Sequence, residues 1–307
     1  MVPPAMRRPR ERRVRRAFLA LLLVACARTE PPREPRLPDG RAGEILAHAI
    51  RGAGGWESWI AKRDAALVST TTISNPAAGT TTETIGIYRF PLHDLAKVRF
   101  DSLGLIEPVA VGWDGKDVWM SRDGRPVPRD ENLDVPRFDV VSTAFWFGLP
   151  FRLTEIPANL TDEGIRVEGD ERFALLGVTL QDDAPETPGD RFVIWFDART
   201  GLIHHVVAHI TASFVTHPYW VGFWRDYRDV DGLRIERRRR FLPSDEEGNV
   251  VGSIVVDHLV EDVRFDTGVS DERFRRPLRG DHGQVASRPS RVNRSQASSA
   301  RSVDLRS

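Results

Sequence analysis

The sequence predicts a mainly β fold of the α+β class, in which a meandering antiparallel sheet carries a few helices. From residue 66 onward apolar and polar residues alternate, as over residues 96–101 and 174–180, and this alternation is typical of strands with one buried face. Asp114-Gly115 and Asp231-Gly232 each stand between two apolar runs, which predicts two hairpins. Turn-forming residues recur between the other apolar runs, as in an antiparallel meander.

Two short helices are expected before the first strand. Apolar residues recur at helical spacing over residues 45–50, with Asp39 placed to cap this helix and Gly52 to end it. Residues 56–60 repeat the helical spacing after Gly54-Gly55 and predict the second helix.

The remaining elements follow in order. Strands are expected near residues 68–73, 84–90, 96–101, 109–113, 118–120, 165–168, 174–180, 192–196, 203–211, 224–230, 233–237 and 250–265. A third helix is predicted over residues 140–148, because Gly148 and Pro150 can end an apolar run that contains Phe145, Trp146 and Phe147. We expect its flanking loop to close over an apolar interior.

The first 26 residues have the organisation of a bacterial lipoprotein signal peptide. Residues 7–16 contain seven arginines and one glutamate, residues 17–25 are apolar, and Cys26 is the only cysteine. Nine apolar residues are too few to cross a bilayer, which takes about 20 in a helix, but they suit a cleaved signal. We expect cleavage before Cys26 and lipidation of its thiol, which would anchor the protein to a membrane. The alternative is an ordinary cleavage site followed by a buried cysteine.

The leader also bears on localisation. Arg15-Arg16-Ala17-Phe18-Leu19 fits the twin-arginine pattern, so that export route stands beside the general secretory route. We expect a protein on the periplasmic side of the bacterial cell envelope. Because Ala27 rather than an aspartate follows Cys26, the sequence favours the outer membrane.

Composition divides the chain and excludes one class of partner. Residues 1–25 are expected to be a signal peptide, 26–40 a proline-rich tether, 41–279 one domain, and 280–307 a disordered tail. Without the leader, 37 basic residues stand against 43 acidic ones, and this mild acidity argues against nucleic-acid binding. The basic run at residues 237–240 is interpreted as the solvated edge of a strand. We expect a monomer.

Several segments resemble the LolA/LppX-like family of periplasmic lipoprotein and lipid carriers. The resemblance spans residues 41–279 and rests on the order of the elements more than on any invariant motif. It is carried by residues 49–56 (AIRGAGGW), 192–202 (FVIWFDARTGL), 226–233 (DYRDVDGL), and 263–265 (VRF) together with Phe274. Residues 145–153 (FWFGLPFRL) also resemble an uncharacterised family of envelope lipoproteins related to that fold.

This resemblance implies a strongly curved antiparallel sheet, an unclosed half-barrel, whose concave face is covered by helices and encloses an apolar cavity. The implied activity is binding of a lipid or of lipoprotein acyl chains, without catalysis. The chain departs from the soluble carrier in its lipidation and in extra length between Asp101 and Pro150. A tethered protein cannot shuttle freely, so local handover or sensing is the expected role.

Large aromatic residues are the candidate lining of such a cavity, because apolar ligands are held by apolar and aromatic side chains. The alternative is that these aromatic residues fill the core of the barrel, since side chains usually fill small barrels. A loop at residues 217–224 that reaches a membrane or a protein partner is a further reading. The candidates are Trp113, Trp119, Phe145, Trp146, Phe147, Trp195, Phe214, Trp220 and Trp224.

No catalytic or metal site is predicted, and no cofactor is expected. The chain lacks G-x-S-x-G, P-loop and dinucleotide motifs. His205 and His209 lie on one face of a predicted strand, with His204 on the other, but the first two are about 13 Å apart by the strand rise. The acidic pairs at 182–183, 229/231 and 245–247 fall in predicted turns.

Three hypotheses follow. The first is a non-enzymatic, membrane-tethered protein that binds a hydrophobic ligand in the half-barrel. The second is an envelope sensor or protein-interaction module with a filled core. The third and weakest is a hydrolase whose acidic residues converge from distant strands.

Overall fold

The computed structural model describes residues 34–94, 97–128, 130–181 and 189–277. The predicted leader, Cys26, most of the tether and the predicted tail at 280–307 lie outside these ranges. Among the described residues, no helix is long and apolar enough to cross a membrane.

The described residues contain three α-helices, two short 3-10 helices and fifteen strands. The α-helices are α1 (Gly40–Gly52), α2 (Trp56–Ile60) and α3 (Asp134–Gly148), and the 3-10 helices are Phe151–Thr154 and Asp271–Phe274. The strands of the first half are β1 (Asp64–Asn75), β2 (Thr80–Pro91), β3 (Val98–Ser102), β4 (Val109–Trp113), β5 (Val118–Arg122) and β6 (Arg125–Pro126). Those of the second half are β7 (Ala158–Glu168), β8 (Glu171–Leu180), β9 (Arg191–Asp197), β10 (Ile203–His209), β11 (Tyr219–Arg225), β12 (Arg228–Val230), β13 (Leu233–Ile235), β14 (Arg238–Pro243) and β15 (Val255–Phe265).

Thirteen of these strands form one antiparallel sheet. Its order is β6-β5-β4-β3-β2-β1-β15-β14-β11-β10-β9-β8-β7, and β12 and β13 form a separate hairpin. The sheet is not closed, since β6 and β7 stand at its two edges. A sheet of this many strands twists and curls rather than staying flat, and the predicted mainly β half-barrel is confirmed.

The sheet consists of two meanders that meet at its centre. Strands β1 to β6 follow one another along one half, and β7 to β11, β14 and β15 follow one another along the other. The two halves are joined by the pairing of β1 with β15, in which Ala65 lies opposite Phe265. The centre of the sheet therefore joins residues that are far apart in sequence.

Alternation along the strands places one row of side chains on the concave face. In β9, Phe192, Ile194 and Phe196 are buried in the common core, while the residues between them are partly exposed. In β2, Tyr88 and Phe90 face the same core. This period of two is the physical reason why the sequence pattern predicted the strands.

Helix α3 lies in this concave face and connects the two edge strands of the sheet. Its first turns, from Asp134 to Asp139, are exposed or half-buried. In its second half Val140, Val141, Thr143, Ala144, Phe145, Trp146, Phe147 and Gly148 are all buried. A helix that is apolar on every side is expected to be surrounded by the core, and here the sheet and the loops surround it.

Helix α1 packs against the outer end of the second meander. A Cβ atom added at Gly52 would lie 2.1 Å from the carbonyl oxygen of Thr200, so the close approach of the helix to the turn after β9 requires glycine. The helix starts and ends as predicted, but Asp39 makes no side-chain capping hydrogen bond. That part of the prediction was wrong.

Other differences from the predicted elements have local causes. Helix α3 begins at Asp134, earlier than predicted, and in its first turns charged residues stand between the apolar Val135 and Phe138. The Asp231-Gly232 turn closes the separate β12–β13 hairpin rather than one in the main sheet. Strand β14, which carries residues 238–240, lies between β11 and β15, so the interpretation of residues 237–240 as a sheet edge was wrong.

Candidate functional site

The concave face beneath α3 is filled by aromatic side chains. Trp146 is central, since its ring lies 4.9 Å from Phe145, 5.0 Å from Phe192 and 5.6 Å from Trp224, measured between centroids. The next residue along the helix, Phe147, lies 5.5 Å from Phe90. These edge-on and tilted arrangements are the favourable ones for aromatic pairs.

A small apolar cleft adjoins this cluster. It runs between the first half of α3 and strands β9 and β10, and its volume of about 20 Å³ is enough for roughly one water molecule. The ligand-sized cavity predicted beneath α3 is thus occupied by side chains in this structure. The cleft is lined by Arg137, Phe138, Val141, Ser142, Phe145, Trp146, Asp190, Phe192 and Ile210.

A larger groove lies at the turn between β4 and β5, beside the start of α3. Its volume is about 410 Å³, within the range of about 300–1,000 Å³ typical of small-molecule sites. The guanidinium of Arg137 stands 4.6 Å from the centre of the Trp113 ring, a favourable cation–π distance. The groove is lined by Trp113, Asp114, Lys116, Asp117, Val118, Trp119, Arg137 and Arg276.

Arg137 borders both the apolar cleft and the groove. Both spaces therefore reach the same side chain, near the exposed end of α3. An amphiphilic molecule could place its polar part in the groove and direct its apolar part toward the cleft past Arg137.

The predicted lining residues divide into three groups. Trp113, Phe145, Trp146, Phe147 and Trp224 belong to the core on the concave side. Trp220 is half-buried against that core, and its Nε1 donates a hydrogen bond to the carbonyl oxygen of His217 over 2.8 Å. Phe214 is 37% exposed and lies 5.4 Å from Phe138 of α3, so it stands at the rim beside the cleft.

Trp119 and Trp195, two further candidates, each lie on the face of their strand opposite the concave core, and Trp119 instead borders the groove at the β4–β5 turn. In β9, the core-facing residues are the neighbours of Trp195, whose ring instead lies tilted against His205, 4.3 Å between centroids. Trp119 is buried outside the concave core, where its Nε1 donates to the carbonyl oxygen of Phe274 over 2.7 Å. Both faces of the sheet carry aromatic residues, so aromatic content alone does not identify the concave one.

A buried polar cluster on the concave floor was missed by sequence reasoning. Arg239 is 1% exposed; its guanidinium donates to Nδ1 of His258 over 2.7 Å and lies 3.3 Å from a carboxylate oxygen of Glu236. Burial raises the pKa of Glu236 to about 7 and lowers the pKa of His258 well below its usual value. Alternation within the basic run was the available signal, since Arg238 and Arg240 face outward and pair with Asp257.

This cluster lies beneath the exposed half of α3. The hydroxyl of Tyr88, which faces the same floor, donates a hydrogen bond to Asp139 of α3 over 2.9 Å. The Tyr88 ring also lies edge-on to His258, 6.2 Å between centroids. Tyr88 thus connects the cover helix to the polar floor of the sheet.

The histidines do not form a metal site in the described part of the chain. Among those residues, no group of three or more His, Cys, Asp or Glu side chains is placed to hold a metal ion. An irregularity in the pairing of β10 with β9 places consecutive residues on one side, so the prediction that His204 and His205 lie on opposite faces was wrong. Their Nδ1 atoms are 2.8 Å apart, and burial lowers the pKa of His205 to about 4.

The acidic residues of the predicted turns shape the backbone. A carboxylate oxygen of Asp229 accepts a hydrogen bond from the Gly232 amide, and Asp245 accepts from the Asn249 amide. Asp231 has a left-handed φ of 51°, as turn positions require. The pair at 182–183 lies outside the described residues.

Comparison with solved structures places the fold of this chain among open half-barrels covered by helices. A DUF1329 family protein from Desulfovibrio piger matches with a TM-score of 0.52 and 13% identity, covering 77% of this chain and 98% of that one. A LolA superfamily protein from Nitrosomonas europaea matches with a TM-score of 0.53 and 10% identity, covering 78% and 99%. No family model and no curated protein matches the sequence. The chain has a LolA/LppX-like fold, and the likeness at these identities concerns the fold alone.

Proposed function

We propose that this chain is a lipid-anchored protein of the bacterial envelope that binds the apolar chain of an amphiphilic ligand between α3 and the concave sheet, without catalysing a reaction. The observation that carries the proposal is the apolar cleft along α3, bordered by Val141, Phe145 and Phe192. A groove of ligand size lies nearby, and Arg137 lines both spaces. The lipoprotein signal ending at Cys26 supports the anchor and the periplasmic side.

In this proposal α3 is the movable part. The second half of the helix is held by apolar and aromatic contacts, which an apolar chain can replace. The exposed first half carries the Tyr88–Asp139 hydrogen bond and the half-buried Phe138. A ligand that enters at the cleft would lift this first half and take over part of the contacts made by Phe145 and Trp146.

The packing of the interior favours a second candidate, an envelope interaction module with a permanently filled core. Trp146 alone contacts four other aromatic rings. In that case α3 is a structural element, and the protein acts through its surface. The hydrolase hypothesis has no comparable support, since Asp229 and Asp245 have backbone roles.

Native mass spectrometry separates the two candidates, with the parent protein purified from membranes in a neutral detergent and Cys26→Ala purified from the cell envelope fraction in which it is found. The Cys26→Ala variant is the matched control, because it removes the anchor lipid and leaves the interior unchanged. We expect a bound amphiphile on both proteins, in addition to the acyl groups on Cys26 of the parent. If Cys26→Ala carries no amphiphile, alone or after incubation with envelope lipids, the filled-core module replaces the carrier.

The same variant tests the anchor. With Cys26 intact we expect the protein in the membrane fraction, and with Cys26→Ala we expect it to be released by washing. Retention of Cys26→Ala on washed membranes would contradict anchoring through this cysteine.

A further inference from the structure

The floor of the concave sheet carries three nitrogen-bearing side chains in a row across neighbouring strands. Trp224 of β11 lies opposite Arg239 of β14, and Arg239 lies opposite His258 of β15. The three residues are only 2%, 1% and 6% exposed. Since neighbouring strands lie about 4.8 Å apart, this polar row, Trp224–Arg239–His258, is about 10 Å long and has the guanidinium in its middle.

Helix α3 covers the polar row from one end to the other. At one end Tyr88, which is edge-on to His258, donates a hydrogen bond to Asp139 of the helix. At the other end Trp146 packs on Trp224, 5.6 Å between ring centroids. Asp139 and Trp146 are separated by about 10 Å of helix, which matches the length of the row. Because Trp146 also borders the apolar cleft, the cleft and the row adjoin.

The two ends of the polar row offer hydrogen-bond donors that the protein does not use. The guanidinium of Arg239 can only donate, so Nδ1 of His258, 2.7 Å away, must be an acceptor. Burial lowers the pKa of His258 well below its usual value, so the ring is neutral and its proton is on Nε2. This Nε2 and the Nε1 of Trp224 are buried and have no hydrogen-bond partner among the described residues.

The middle of the polar row supplies positive charge while Arg239 keeps its own contacts. Its guanidinium lies 3.3 Å from a carboxylate oxygen of Glu236. Because burial raises the pKa of Glu236 to about 7, this carboxyl is protonated in a large share of molecules near neutral pH and offsets the charge of Arg239 only in part. The acid on the cover helix, Asp139, also attracts Arg239, but it leaves with α3 when the helix lifts. An anion that enters beneath α3 would take its place.

We propose that the polar row binds the carboxylate of a fatty acid whose hydrocarbon chain lies in the cleft along α3. The N–H groups of Trp224 and His258 would donate to the carboxylate oxygens from either side, and Arg239 between them would supply the opposite charge. A carboxylate fits better than a larger anion, because the adjoining cleft has a volume of only about 20 Å³. The inference rests on the proposed function, since the chain occupies the space between α3 and the sheet.

Four probes test this proposal on the full-length protein in neutral detergent near pH 7, with binding measured by native mass spectrometry. Oleic acid, oleyl alcohol, oleylamine and oleoyl lysophosphatidic acid share one hydrocarbon chain and differ in the head. We expect oleic acid to bind about tenfold more tightly than each of the others, as hydrogen bonds to a buried charged group imply.

Variants at the two ends of the polar row test its donors. Trp224→Phe removes the indole N–H, keeps an aromatic ring and leaves the hydrogen bond between Arg239 and His258 in place; His258→Phe removes the other donor. Each should abolish most of the preference for oleic acid over oleyl alcohol. The ratio of the two affinities is compared between variant and parent, so that partition of the probes into detergent cancels. If His258→Phe does not fold, Trp224→Phe alone decides the test.

Trp113→Phe is the matched control. The substitution is the same, and the Nε1 of Trp113 is likewise buried without a partner among the described residues. Trp113, however, lies on β4 and lines the groove at the β4–β5 turn, away from the polar row. We expect Trp113→Phe to retain the preference of the parent for oleic acid.

The outcomes separate this inference from the proposed function. Equal binding of oleic acid and oleyl alcohol, or tighter binding of lysophosphatidic acid, overturns the carboxylate site and leaves hydrophobic binding intact. A preference that Trp224→Phe retains and Trp113→Phe loses would place the head in the groove and also overturns it. If none of the four probes binds to the folded parent, the proposed function itself fails.

Discussion

Replacement of Trp146 by alanine is the sharpest test of how the concave face is filled. This side chain is 8% exposed and contacts the rings of Phe145, Phe192, Trp224 and Phe241. A large aromatic side chain buries about 150–250 Å², which at about 25 cal/mol per Å² is worth roughly 4–6 kcal/mol. Because alanine retains part of this burial, we expect Trp146→Ala to lower the free energy of unfolding by about 3–5 kcal/mol.

Trp195→Ala is the matched control. The substitution is chemically the same, but Trp195 is half-buried on the outer face against His205, so we expect a loss of about 1–2 kcal/mol. Urea unfolding followed by far-UV circular dichroism measures both without depending on tryptophan fluorescence. If Trp146→Ala costs no more than Trp195→Ala, the described packing of the interior is wrong.

A ligand should partly reverse this loss. The space left by Trp146 joins the cleft that it borders, so an apolar chain has more room in Trp146→Ala than in the parent. A ligand at about 100 times its Kd restores roughly 2.7 kcal/mol. Oleic acid that stabilises the parent more than Trp146→Ala would contradict binding at this position.

Three further predictions concern stability. Burial raises the pKa of Glu236 to about 7 from 4.5, so the protonated form is favoured in the folded protein. As the pH rises from 4 to 8, we expect the unfolding free energy of the parent to fall by up to about 3 kcal/mol relative to that of Glu236→Gln. A difference between the two proteins that is independent of pH would contradict this. Tyr88→Phe removes the hydrogen bond to Asp139 and should lower the unfolding free energy by about 1–2 kcal/mol. We also expect this variant to take up oleic acid faster, as measured by stopped-flow fluorescence. An unchanged rate of uptake would argue against α3 as the moving part. Gly52→Ala places a Cβ 2.1 Å from the Thr200 carbonyl oxygen. Because overpacking of this kind costs about 1–3 kcal/mol, the midpoint of thermal unfolding should fall by several degrees. An unchanged midpoint would mean that α1 can move away from the turn without loss of stability.

The elements of the fold were largely predictable because they depend on local periods. The alternation over residues 174–180 corresponds to β8, and the Asp114-Gly115 turn joins β4 to β5. The start of α3 was missed because Asp134, Arg137 and Asp139 interrupt the apolar run, although Val135 and Phe138 keep the helical spacing. The pairing of β1 with β15 depends on contacts between distant residues, and a period within one strand contains no information about its partner.

The candidate site was less predictable than the fold. A period of two separates the faces of a strand but does not say which face a distant helix will cover, and this is why the sequence did not distinguish Trp119 and Trp195 from the residues of the concave core. Arg239 was hidden in a basic run whose neighbours Arg238 and Arg240 are exposed. The groove combines the β4–β5 turn with Arg137 and Arg276, which only the folded chain brings together.

The central pairing of β1 with β15 also has a consequence for the order of folding. Each meander can form from neighbouring strands, but the seam between them needs Ala65 and Phe265 together. Contacts between such distant residues slow folding, because the intervening chain must be ordered first. During synthesis or translocation, β1 therefore remains an unpaired edge until nearly the whole domain has emerged, and such an edge is open to pairing with other chains. A chaperone that covers β1 during this interval would protect the half-barrel at its most vulnerable stage.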